Sequence, residues 1–81
     1  MRGKIKLLNN KKGMVAVENE DGEYSVVELL GDYSPEAGDV ISGNLDGLGG
    51  ETIRNETQKQ DWRVFVQDIH SSREMAIKGI S

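Results

Sequence analysis

Cysteine is absent from this sequence, and with it any disulfide framework or thiolate metal site. No apolar run approaches the roughly 20 residues that a membrane-crossing helix needs, and no signal peptide stands at the start. The chain therefore reads as a soluble, cytoplasmic protein with no membrane partner. Nucleotide-binding signatures are missing too. The glycine-rich stretch Asp46 to Gly50 (D-G-L-G-G) has neither the lysine and hydroxyl pair of a P-loop nor a dinucleotide fingerprint, so it reads as a hairpin turn. His70 has Asp68, Ser71 and Ser72 close by in sequence, but a neighbouring carboxylate is only one element of a catalytic site. The expectation is a non-enzymatic protein with no cofactor, no metal site and no small-molecule substrate, in which His70 belongs to a strand-to-helix junction.

Acidic residues are absent before Glu18. Residues 1–17 hold Arg2, Lys4, Lys6, Lys11 and Lys12, a local charge of +5, while residues 18–81 hold the other five basic and all fourteen acidic groups, −9, for a net −4. A net negative charge by itself argues against a nucleic-acid partner, because phosphate neutralisation supplies most non-specific affinity. The asymmetry matters more than the total. With a Debye length of about 8 Å at physiological ionic strength, distant carboxylates do not cancel a local basic patch.

What is present is a series of short strand patterns. Gly3 to Leu8 and Met14 to Val17 flank N-N-K-K-G and form a hairpin, and E-N-E-D-G (Glu18 to Gly22) is a second turn signal. Glu23 to Leu30 follows, with Tyr24 and Val26 on one face and Val27 and Leu29 on the other, so both faces are partly apolar. The loop Gly31 to Gly38 contains the only proline. Asp39 to Leu45 resumes the sheet, with Gly43 marking a bulge or sharp bend. Glu51 to Asn55 pairs back on it. In Trp62 to Ile69, the alternation puts Trp62, Val64 and Val66 on a core face, and Phe65 and Ile69 on the other face with Arg63 and Gln67. Ser71 and Glu74 have capping-box spacing for a short helix over about residues 72–78, with Gly79 as its stop.

The opening run R-G-K-I-K-L-L-N-N-K-K-G-M-V-A-V resembles the start of cold-shock domains, K-G-x-V-K-W-F-N-x-x-K-G-F-G-F-I. Arg2, Gly3, Ile5, Lys6, Asn9, Lys12, Gly13 and Val17 match identically or conservatively at the same spacing. E-A-G-D-V-I-S-G-N-L, Glu36 to Leu45, is similar to the E-G-D-x-V entry into the fourth strand of OB-type barrels. The resemblance implies an all-β fold, a small five-stranded OB-type barrel, here in one domain over residues 1–81 with a short C-terminal helix.

It also implies binding of single-stranded nucleic acid, RNA or DNA. In that family, aromatic side chains on the first three strands stack on bases. Leu7, Leu8, Met14 and Ala16 replace those of the first two strands, and Ser25, Val27 and Glu28 correspond loosely to those of the third. Each base stack is worth roughly 1–3 kcal/mol, so the expected binding is weak, salt-sensitive and electrostatic. Its candidate residues are Arg2, Lys4, Lys6, Lys11 and Lys12, with Met14 as an apolar contact and Tyr24 or Phe65 for stacking. The alternative expectation is a protein-interaction module that keeps the barrel and has lost nucleic-acid binding.

Overall fold

The computed structural model describes all residues, Met1–Ser81. Six strands form a closed antiparallel barrel, followed by one short helix: β1 (Arg2–Asn9), β2 (Met14–Asn19), β3 (Tyr24–Leu29), β4 (Val40–Ser42), β5 (Gly49–Asn55), β6 (Gln60–Ser71) and α1 (Arg73–Ile80). The strand order is β1-β2-β3-β6-β5-β4, closed by pairing of β4 with β1. The strand patterns number six, as do the strands, one more than the five that the cold-shock resemblance implies, and the fourth is cut short at Ser42. Gly43 follows at φ +132, a conformation that ends the strand, and any Cβ there would lie 3.2 Å from the Ile53 side chain. The chain then returns through β5, which meets β4 at Ile41–Asn55 and Ser42–Arg54. No helix is long and apolar enough to cross a membrane.

Alternation fills the barrel interior. Val15 and Val17 of β2, Val27 of β3, Ile53 of β5 and Trp62, Val64 and Val66 of β6 are all buried in one cluster. Two irregularities change which face a side chain reaches. A bulge at Lys6 separates the pairs Ile5–Val17 and Leu7–Ala16, so the inward parity of Ile5 passes to Leu8, while Leu7 turns outward. Further register shifts along β3 and β6 separate Val27–Val66, Val26–Asp68 and Tyr24–Ser71. They turn Ile69 against the barrel core, contrary to the expectation that it shares the outer face with Phe65. The second shift coincides with His70 at φ +54.

Both faces of β3 are covered, as its two-sided apolar pattern requires. Tyr24 and Val26 on the outer face join Ala16 of β2 and Ala76 and Ile80 of α1 in a second buried cluster, with Leu7 and Met14 packed at its margin. Helix α1 is capped by Ser72, whose Oγ accepts from the Met75 N–H at 3.2 Å. The expected cap, Ser71, instead donates its hydroxyl to Asp68 at 2.8 Å. Gly79 is not the stop, for the helix continues to Ile80. It is a packing residue: a Cβ at Gly79 would lie 3.1 Å from a Val26 methyl, so its absence lets the helix sit close to the sheet. Eight residues are too few for an isolated helix. Burial of Ile80, worth roughly 1.5–3 kcal/mol, is the chief apolar force holding α1 in place.

Candidate functional site

The five expected cations do not form one track. Arg2, Lys4 and Lys6 line an open cleft of about 490 Å³ with Glu18 and Glu20. Lys6 Nζ stands 4.0 Å from a Glu18 carboxylate oxygen, both side chains partly exposed, an arrangement worth little in stability but one that places anions among the cations. At the other end of β1 the hairpin turn meets the helix. Asn9 Nδ2 donates to the Ile80 carbonyl at 2.7 Å, and Lys12 Nζ donates to the Ser81 carbonyl at 2.5 Å. These bonds satisfy orphan carbonyls at the end of α1, and the lysine lies at the negative pole of the helix. Lys12 thus holds the helix, while Lys11 remains exposed beside a groove between β1 and α1.

The apolar candidates divide in the same way. Met14 is half-buried at the edge of the helix-covered cluster. Tyr24 is corrected as a stacking residue. It is only 4% exposed, packed beneath α1, with its hydroxyl accepting from Arg73 Nη1 at 3.2 Å. Phe65 is 43% exposed on the outer face of β6, between Glu28 of β3 and Gly50 of β5. The structure therefore brings Leu7, Met14, Ala16, Tyr24 and Val26 together on one outer face, and α1 occupies it.

His70 lies at the start of the path into α1. Its Nδ1 is 2.9 Å from Glu23 Oε1 at the β2–β3 turn, and its Nε2 is 3.2 Å from Asp46 Oδ1 in the β4–β5 loop. Both nitrogens face acceptors, the arrangement that suits an imidazolium. Its pKa is raised above the ordinary 6.5, first by the Glu23 hydrogen bond, opposed by desolvation, then by the charges of Glu23 and Asp46. A raised folded-state pKa gives stability that is fully present below the unfolded value and disappears as pH rises through the folded one. We expect the His70 ring protons to titrate by NMR with a midpoint above 6.5, and Glu23→Gln to bring it down; a midpoint at or below 6.5 in the unaltered protein would refute the bridge. The serines are not part of this cluster, since Ser71 donates to Asp68 and Ser72 caps the helix. Asp68 accepts from Ile69 N and from Ser71, so it and His70 face different partners and do not converge as a ligand pair.

Sequence reasoning missed two features. Asp39, in the E-A-G-D-V stretch, is buried and its Oδ2 accepts from Glu36 N at 3.1 Å, Asn55 Nδ2 at 2.8 Å and Gln58 Nε2 at 2.8 Å. The other is the seating of α1, for which the signal was present: an outward-facing apolar set on β1, β2 and β3 needs a cover. Comparison with protein-family models, characterised proteins and solved structures returns no match. The functional reading rests on the chain's own geometry.

Proposed function

We propose that this chain is a non-enzymatic protein-interaction module built on an OB-type barrel, with no role for base stacking. The observation that carries the reading is α1 seated on the outer face of β1–β3, over Leu7, Met14, Ala16, Tyr24 and Val26. The cold-shock resemblance of the first hairpin implies that bases would stack on this face at the positions of Leu7, Met14 and Ala16. Here it is apolar, without exposed aromatics, and already shaped to bind a helix. The three-residue β4 closes the barrel against β1, so the OB-type description is proposed with one strand more than the five that the resemblance implies. Cytoplasmic location agrees with the cysteine-free composition.

A second reading has its own observation. Arg2, Lys4 and Lys6 line one cleft, and single-stranded RNA or DNA would bind there through its phosphates, weakly and with little sequence preference. The carboxylates of Glu18 and Glu20 in that cleft and the net charge of −4 weigh against it.

An NMR titration of the labelled protein separates the two. With short oligo-dT and oligo-U at low salt, we expect no amide shifts at millimolar oligonucleotide, whereas an unbiased peptide-display selection should yield peptides that bind. Salt-sensitive shifts centred on Arg2, Lys4 and Lys6, with no peptide selected, would overturn the protein-interaction reading.

A further inference from the structure

The edge of β1 that faces away from β2 is only partly used. β4 pairs with it at Arg2, Gly3 and Lys4, and Ile5 donates to the Asp39 carbonyl and accepts from Gly38 N at 2.9 and 2.7 Å. Beyond Ile5 no strand pairs with that edge, although β1 continues to Asn9. Along this free stretch runs a groove of about 530 Å³ lined by Leu7, Leu8, Asn10, Lys11, Ile77 and Ile80 among others. Leu7 packs toward the helix side and Leu8 toward the barrel core, yet both line the groove, and no residue of β2 does. The groove therefore follows the strand edge itself. Its opposite wall is α1, three of whose last four carbonyls are already taken: Ile77 O by Ser81 Oγ, Lys78 O by Ser81 N, and Ile80 O by Asn9.

We infer that this groove receives an extended, acidic and apolar peptide segment of a partner protein, added as a strand to the edge of β1 between Lys6 and Asn9; the inference rests on the protein-interaction reading and names its site. An exposed strand edge supplies main-chain hydrogen bonds, and alternate side chains of the added strand find pockets. Leu7, Leu8, Ile77 and Ile80 form the apolar floor and wall, with Ile77 44% exposed. Charge selects the partner. Lys11 is the one ionisable side chain among the eight lining residues and no acidic side chain is there, in a protein with fourteen acidic residues overall. A second copy pairing edge to edge in antiparallel register would bring the lysines flanking the free stretch, Lys6 and Lys11, toward their counterparts, a like-charge juxtaposition that opposes it.

The test is an NMR titration of the full chain with a blocked peptide of alternating glutamate and valine, beside two controls: alternating lysine and valine, and the glutamate peptide N-methylated at alternate residues to block strand pairing. Expected are amide shifts at Leu7 to Lys11 and Ile77 to Ser81, slowed hydrogen exchange at Leu8, no comparable binding by either control, and about 5-fold weaker binding with Lys11→Glu. Lys11 is exposed, so this variant folds as the parent does, and far-UV circular dichroism verifies it. Absence of shifts at millimolar peptide, equal binding of either control, or concentration-dependent shifts at Leu7 to Lys11 without peptide, which would mark a second copy as occupant, each overturns the inference. Peptides from the unbiased selection that bind elsewhere on the barrel would sink this site while leaving the broader reading standing; a selection that yields nothing would remove that reading as well.

Discussion

Trp62→Ala is expected to lower stability by about 3–5 kcal/mol, close to the whole stability of a chain this size, which falls at roughly 4–12 kcal/mol. Trp62 is fully buried and is the largest side chain in the barrel core. Its indole stacks on Tyr33 with ring centroids 5.2 Å apart and planes 19° from parallel, and its Nε1–H donates to Gln60 Oε1 at 3.1 Å. Truncation removes the apolar burial, leaves a cavity that a closed barrel cannot easily collapse, and strips the support from Tyr33. That last loss spreads, because the Tyr33 hydroxyl accepts from Arg63 N at 2.9 Å and so ties the Gly31–Gly38 loop to β6. Urea unfolding followed by far-UV circular dichroism should show the midpoint falling by about 2 M or more, with faster hydrogen exchange at Arg63. Trp62→Phe, which keeps a ring against Tyr33, should cost about 1–2 kcal/mol. A loss under about 1 kcal/mol for the alanine variant would contradict the packing described.

Asp39→Ala comes second, at about 2–4 kcal/mol. One carboxylate oxygen accepts from three donors, and two of them, the Asn55 and Gln58 amides, come from β5 and the turn after it. Asn55 is fully buried. Without the carboxylate its amide loses that acceptor in an environment that water does not reach, and this desolvated donor is the larger part of the cost. Asp39→Asn retains an oxygen acceptor and should lose less than half as much. The two substitutions, compared by urea unfolding, separate the need for charge from the need for an acceptor; equal losses would mean that a neutral acceptor does not serve and that the charge is what the site requires.

Much of the barrel could be read from residue pattern because alternation is a local signal. Trp62, Val64 and Val66 stand at strict period two and all point inward, and the six segments expected to be strands all became strands. Where the period slips, legibility slips with it. Leu7 and Leu8 are adjacent, and only the bulge at Lys6 decides that Leu8 enters the barrel while Leu7 supports the helix. Ile69 was misplaced for the same reason, since a one-residue shift in β6 reverses every side chain beyond it. Ser71 and Ser72 are chemically equal candidates for the helix cap, and the choice depends on Asp68 engaging the first of them.

The candidate surfaces were less legible because they depend on contacts between distant segments. Arg2, Lys4 and Lys6 are near one another in sequence and share a cleft, whereas Lys12 is diverted to a carbonyl 69 residues away. Tyr24 has the composition of a stacking residue and the environment of a core one. Helix α1 gives a weak amphipathic signal, because only Ala76 and Ile80 are buried in it and the closest approach to the sheet is made by a glycine.

The seating of α1 also fixes an order of events during synthesis. Its anchoring bond from Asn9 to the Ile80 carbonyl spans 71 residues, so the first hairpin leaves the ribosome well before its cover exists. At roughly 5–20 residues per second, the apolar outer face of β1–β3 stays uncovered for several seconds on every nascent chain. Over that interval the charges of Lys4, Lys6, Lys11 and Lys12 in and beside the hairpin strands stand next to apolar surface that the last eight-residue element has yet to close.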